Sequence, residues 1–134
     1  MAIKRMTKGD MPQSLGTYNP VGHVLVALPS DALAQEARQA LRDIGFDDED
    51  VLHYTADEEG SQMDYMLSHA SELSGFGYEV TLMRRYRTLA HEGCGWLLVY
   101  APDTPHTERV TEVARRFGAR SAVKYHRFVV EDLL

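Results

Sequence analysis

The segment VLVALPSDALAQEARQALRDIG, residues 24–45, lies without a gap over LLVYAPDTPHTERVTEVARRFG, residues 97–118. The offset is 73 residues at both ends (24 to 97, 45 to 118). Each copy begins with an apolar strand, passes a proline (Pro29, Pro102), carries a polar cap and a helical stripe, and closes on a glycine. In the first helix Leu33, Ala37, Leu41 and Ile44 share a face. In the second Val110, Val113, Ala114 and Phe117 do. Both spacings follow the 3.6-residue period.

Thr104 before Pro105 predicts a helix start, an acceptor for an orphan amide followed by a residue with no amide. Ser30 or Asp31 takes that part in the first copy. Gly45 and Gly118 suit the left-handed residue that closes a helix.

Each copy returns in a strand. VLHYT, 51–55, sets Leu52 and Tyr54 on one side. AVKYHRFVV, 122–130, sets Val123 and Tyr125 on one side, and its alternation slips at His126 and Arg127, which predicts a bulge. Two strand–helix–strand units in series predict an α+β fold of the ferredoxin-like split βαβ kind. It has a four-stranded antiparallel sheet, the first and third strands central and both repeat helices on one face.

Residues 57–92 are inserted between the copies and predict two helices, within about 61–92. SQMD, 61–64, matches a loose capping box. Met63, Met66, Leu67, Ala70 and Leu73 follow as a stripe. GFGY, 75–78, interrupts it, and a helix over about 79–91 carries Leu82, Tyr86, Leu89 and Ala90 on one side. The strands VLVAL (24–28) and WLLVY (96–100) are apolar at every position, so both their faces need cover. The repeat helices cover one. The inserted helices or a second subunit must cover the other.

The 134 residues make one domain, 21–134, behind a flexible lead-in, 1–20. A chain this long buries enough surface to fold without a disulfide or metal. Its net charge of −6 argues against a nucleic-acid or anionic-membrane surface, which needs clustered cations. Residues 1–67 hold 5 Lys/Arg and 12 Asp/Glu, and residues 68–134 hold 9 and 8. The acidic excess sits largely in DDED, 47–50, and DEE, 57–59. A single cysteine, Cys94, fits a reducing cytoplasm. No apolar run reaches the roughly 18 residues of a membrane span, and the lead-in lacks the apolar core of a secretory signal.

Arg84, Arg87 and His91 fall at i, i+3 and i+7 on the second inserted helix. They read as a site for a small anionic ligand, since Arg presents a fork of donors to phosphate or carboxylate. The simpler reading is a solvated face paired with the acids at 47–50 or 57–59. HEGC, 91–94, has two metal-ligand types but no second pair, and zinc needs three or four ligands, so no metal and no cofactor is expected. Cys94 stands at the threshold of a buried strand, a poor place for a nucleophile. GFG (75–77) and GCG (93–95) complete no phosphate-binding motif and read as turns. His53 and His126 fall on the outer strands and His23 opens the first, either as a pH-sensing group or as polar guards of the sheet edges. Met63 and Met66 suit either core or an adaptable pocket wall.

AQEARQALRDIGFDDEDVLHYT and YRTLAHEGCGWLLVYAPDTPHTERVTEVARRFGARSAVKY resemble the opening and the ending of the small bacterial general stress protein family, over about residues 23–130. The resemblance implies a cytoplasmic bacterial accessory protein. Three functions follow as expectations. One is a non-enzymatic, stress-associated accessory or regulatory domain acting through homodimerisation and protein or small-ligand binding. Another is a sensor holding an anionic metabolite or nucleotide near Arg84, Arg87 and His91. The last is a small cofactor-independent enzyme with a pocket between the sheet and the inserted helices.

Overall fold

A computed structural model describes residues 5–7, 20–68 and 77–134. Its elements run β1 (His23–Leu28), α1 (Asp31–Asp43), β2 (Val51–Tyr54), α2 (Ala56–Ser68), α3 (Gly77–His91), β3 (Gly95–Tyr100), α4 (Thr104–Arg116), β4 (Ser121–Tyr125) and β5 (Val130–Asp132). A short 3-10 turn, Asp48–Asp50, leads into β2. The chain is thus an α+β fold, with a five-stranded antiparallel sheet in the order β2-β3-β1-β4-β5 and four α-helices among the described residues.

The two apolar strands are central neighbours. Val24 pairs with Val99, Leu25 with Leu98 and Val26 with Leu97. Leu25 and Leu98 are the equivalent residues of the two copies, 73 apart, and face each other in register. A pseudo-two-fold axis therefore passes between them. The helix ends share their closing bond. Gly45 and Gly118 have φ of 107° and 71°. The Phe46 amide donates to Leu41 O at 3.0 Å and its counterpart Ala119 donates to Ala114 O at 2.9 Å, the closure that a left-handed glycine permits.

Alternation along the strands splits the interior into two cores. Val24, Val26, Leu28, Leu97 and Val99 pack under α1 and α4. Leu25, Ala27, Trp96, Leu98 and Val123 pack under α2 and α3 with Met63, Met66, Met83 and Tyr86. The inserted helices thus cover the second face, so the sheet needs no second subunit for that purpose. Truncating Leu98 to Ala at this centre would cost about 2–5 kcal/mol, the transfer of its methyl groups plus the cavity left behind.

Several local expectations shift. The cap of α4 is Asp103, whose side chain accepts from the His106 amide at 2.9 Å; Thr104 is the first helical residue. Ser30, 73 residues earlier, caps α1 by accepting from the Leu33 amide at 3.1 Å. Ile44 is 44% exposed, because it is the residue at which α1 ends and no longer belongs to the buried face. The first inserted helix begins at Ala56, five residues before Ser61, because Thr55 and Glu58 form the capping box. Glu58 donates its amide to Thr55 Oγ1 at 3.1 Å, and Thr55 donates its amide to Glu58 Oε1 at 2.9 Å. Ser61 lies inside the helix. Ala70, Leu73 and residues 75 and 76 of GFGY lie outside the described residues.

The slip at His126 and Arg127 is a reversal, not a bulge. The His126 amide donates to Val129 O at 2.9 Å, and Tyr125 then pairs with Val130 in β5. One expected strand thus becomes two, joined by a tip on which Phe128 is 90% exposed. Of the expected lead-in, Arg5 and Met6 dock: Arg5 lies over the Tyr100 ring, and the Met6 amide donates to His23 Nε2 at 3.1 Å.

Candidate functional site

An open cavity of about 900 Å3 lies between α4, the β4–β5 hairpin and residues 21–22 and 102–104. Thr107, Thr111 and Arg115 of α4 form one wall, and Lys124, Arg127 and Glu131 of the hairpin the other. The reversal at 126–129 builds this wall, since it brings β5 back beside β4.

Lys124 is the unusual group in it. Strand alternation turns Lys124 away from its neighbours Val123 and Tyr125, both packed in the α2–α3 core, toward the α4 side. Only 5% of it is exposed. Its Nζ donates to Thr107 Oγ1 at 2.7 Å and to Ala101 O. Thr107 Oγ1 in turn donates to Asp103 O at 2.8 Å. Both acceptors of the amine are neutral. Burial lowers the pKa of Lys124, while the charges of Asp103 and Glu131 act to raise it, and burial prevails. Asp103, held by its bonds from the His106 amide and ring, has its carboxyl below the usual range.

The chain carries three lysines, Lys4, Lys8 and Lys124, against eleven arginines. From residue 9 onward every other basic position is arginine. That asymmetry was a signal in the sequence. Arginine cannot be deprotonated at working pH, whereas a buried lysine readily can. A lone lysine in a strand therefore marks a different task from surface charge.

The expected group Arg84, Arg87 and His91 does come together, along a shallow depression of about 520 Å3 on α3. Its counter-charge is Asp64 of α2, not the acids at 47–50 or 57–59. Asp64 Oδ1 lies 3.0 Å from Arg87 Nε and 3.4 Å from His91 Nε2. Glu49 and Asp50 pair with Arg5, and Asp48 with Arg42. Arg84 has no ion-pair partner among the described residues. Cys94 is fully buried, and burial pushes its thiol pKa up, the opposite of what a nucleophile needs.

Four histidines each sit beside a different carboxylate: His53 near Asp31, His91 near Asp64, His106 on Asp103 and His126 on Glu131. His53 lies on the edge strand β2, as expected. His126 lies in the reversal past β4, whose outer side β5 covers. His23 differs. It is buried, its Nδ1 lies 3.0 Å from Val21 O, and its Nε2 accepts from Met6. The neutral tautomer with hydrogen on Nδ1 satisfies both contacts, and burial lowers its pKa accordingly.

The sequence reading missed Glu59. It belongs to the DEE triplet but lies on the buried stripe of α2 with Met63 and Met66, 1% exposed. Neither carboxyl oxygen has a hydrogen-bond partner among the described residues. Burial, with a smaller push from Glu58, raises its pKa to about 8, so at pH 7 it is a neutral acid.

No family model, curated protein or solved structure matches the chain. No helix among the described residues is long and apolar enough to cross a membrane.

Proposed function

We propose that the protein is a non-enzymatic small-ligand-binding domain that holds an anionic metabolite in the cavity beneath α4. One observation carries the reading: a nearly buried amine, Lys124, lines a cavity of about 900 Å3 and has no carboxylate bonded to it. A ligand carboxylate or phosphate would face Arg127 at the rim, which has no ion-pair partner among the described residues, while the rest of the ligand reaches Lys124 Nζ. In this reading β1 to β4 form a ferredoxin-like frame and β5 extends its edge to wall the cavity. A stress-associated accessory role in a bacterial cytoplasm, drawn from the resemblance above, belongs to the same proposal. The reading needs no second copy of the chain.

The test is a thermal-shift screen of small carboxylates and phosphates on the wild type, Lys124→Met and Arg84→Ala. A ligand at a hundred times its Kd stabilises by about 2.7 kcal/mol, a shift of several degrees for a chain this size. The expected pattern is a shift kept by Arg84→Ala and lost by a folded Lys124→Met. The reverse pattern would move the site to the depression on α3, where Arg84, Arg87 and His91 line a surface open to solvent.

A further inference from the structure

We propose that Lys124 binds a small aldehyde or 2-oxo acid covalently, as an imine formed inside the cavity. The inference rests on the cavity reading above and names the ligand class.

Geometry carries it. A neutral amine has two N–H bonds and one lone pair. Lys124 Nζ has two acceptors in place, Thr107 Oγ1 and Ala101 O, which would hold those two hydrogens and leave the lone pair uncommitted. Thr107 and Lys124 both line the cavity. The amine is thus held in one orientation at the wall of a space large enough for a small metabolite. The surroundings also make the uncharged form easier to reach than for an exposed lysine, because burial opposes the ammonium more than the charges of Asp103 and Glu131 support it. The sequence adds a second, independent sign: this is the single lysine after residue 8 in a chain that otherwise uses arginine. Charge alone would not require that exception.

The step balances without any further reactant. The lone pair of Nζ adds to the carbonyl carbon, and the C=O pair moves to oxygen. A proton passes from nitrogen to that oxygen, giving a carbinolamine. Loss of the hydroxyl as water, with the second proton from nitrogen, leaves C=N. The reaction consumes one amine and one carbonyl, yields one imine and one water, and changes no oxidation state. Adding water releases the ligand. A carboxylate on the carbonyl compound would face Arg127 at the rim.

The full-length protein is incubated at pH 7 with glyoxylate or pyruvate, reduced with borohydride, digested and mapped by mass spectrometry. Lactate, which has the carboxylate but no carbonyl, is the control ligand. The expected result is a reduced adduct at Lys124 in clear excess over those at Lys4 and Lys8. It saturates with ligand, is competed by lactate and is absent in Lys124→Arg. Adducts spread evenly over the three lysines, or growing linearly with concentration, overturn the proposal. Thermal stabilisation by pyruvate and lactate alike, with no adduct, overturns the imine and leaves the cavity reading standing. Neither stabilisation nor adduct with any compound overturns both.

Discussion

Replacing Glu59 with methionine should remove most of the alkaline fall in this protein's stability. Methionine matches Met63 and Met66 on the same buried stripe and carries no ionisable group. The folded carboxyl titrates at about 8 against an ordinary 4.5. Because the folded pKa is raised, the folded state holds the proton more tightly. The stabilising contribution is therefore complete below pH 4.5 and is lost as pH rises to about 8. The gap of 3.5 corresponds to about 5 kcal/mol over the whole window, at about 1.36 kcal/mol per unit. Between pH 5 and 8 the loss is about 3–4 kcal/mol, a large part of the ~5–15 kcal/mol that holds a domain together. Urea unfolding followed by fluorescence of the single, buried Trp96 gives the stability at each pH. The quantity that matters is the difference between variant and wild type, since His23 and every other titrating group cancel in it. That difference should grow by about 3–4 kcal/mol from pH 5 to 8. A difference constant to within about 0.5 kcal/mol would show that Glu59 is hydrated or paired, and the buried-acid reasoning would be wrong.

Two glycines should respond in opposite directions to alanine. A Cβ on Gly95 would lie 2.7 Å from Asp31 Cα and 2.8 Å from Ser30 O, both backbone, so Gly95→Ala should lose about 3 kcal/mol in urea unfolding. A Cβ on Gly60 meets nothing nearer than 3.6 Å inside α2, so Gly60→Ala should gain about 0.5–1 kcal/mol from helix propensity. Thr55→Ala should cost about 1 kcal/mol and fray the start of α2, measured by amide exchange at Glu58. Protonating His23 would place a donor against the Met6 amide, so stability from this group is lost as pH falls below 6.5. The protection of the Met6 amide, measured relative to its intrinsic exchange rate at each pH, should fall there in the wild type.

The duplication was the most legible part of the sequence, because strand, helix and closing glycine all recur at one offset. That offset makes Leu25 and Leu98 equivalent, but only the register shows that they face each other. Single-residue features were harder. Asp103 and Thr104 both make good caps, and what separates them is the equivalence to Ser30, 73 residues earlier. SQMD matches a loose capping box and stands beside the methionine stripe, but Thr55 and Glu58 are the pair that caps α2, because the backbone turns helical as soon as β2 ends. The slip at His126 marked a break correctly but could not distinguish a bulge from a reversal, which depends on where β5 pairs. The two groups of most chemical interest were hidden by their types. Glu59 stood in an acidic run that reads as surface, and Lys124 stood in an alternating strand that reads as a polar face. Burial, which no residue type announces, separates them from their neighbours.

The most direct test of the ligand cavity is a titration of the isotopically labelled protein with pyruvate and, separately, lactate, followed by amide chemical shifts. The expected result is a set of saturable changes centred on Thr107, Thr111, Lys124 and Arg127, with Arg84, Arg87 and His91 unmoved. Changes centred on the α3 stripe, or none at any residue up to millimolar ligand, would contradict the assignment of binding to the space beneath α4.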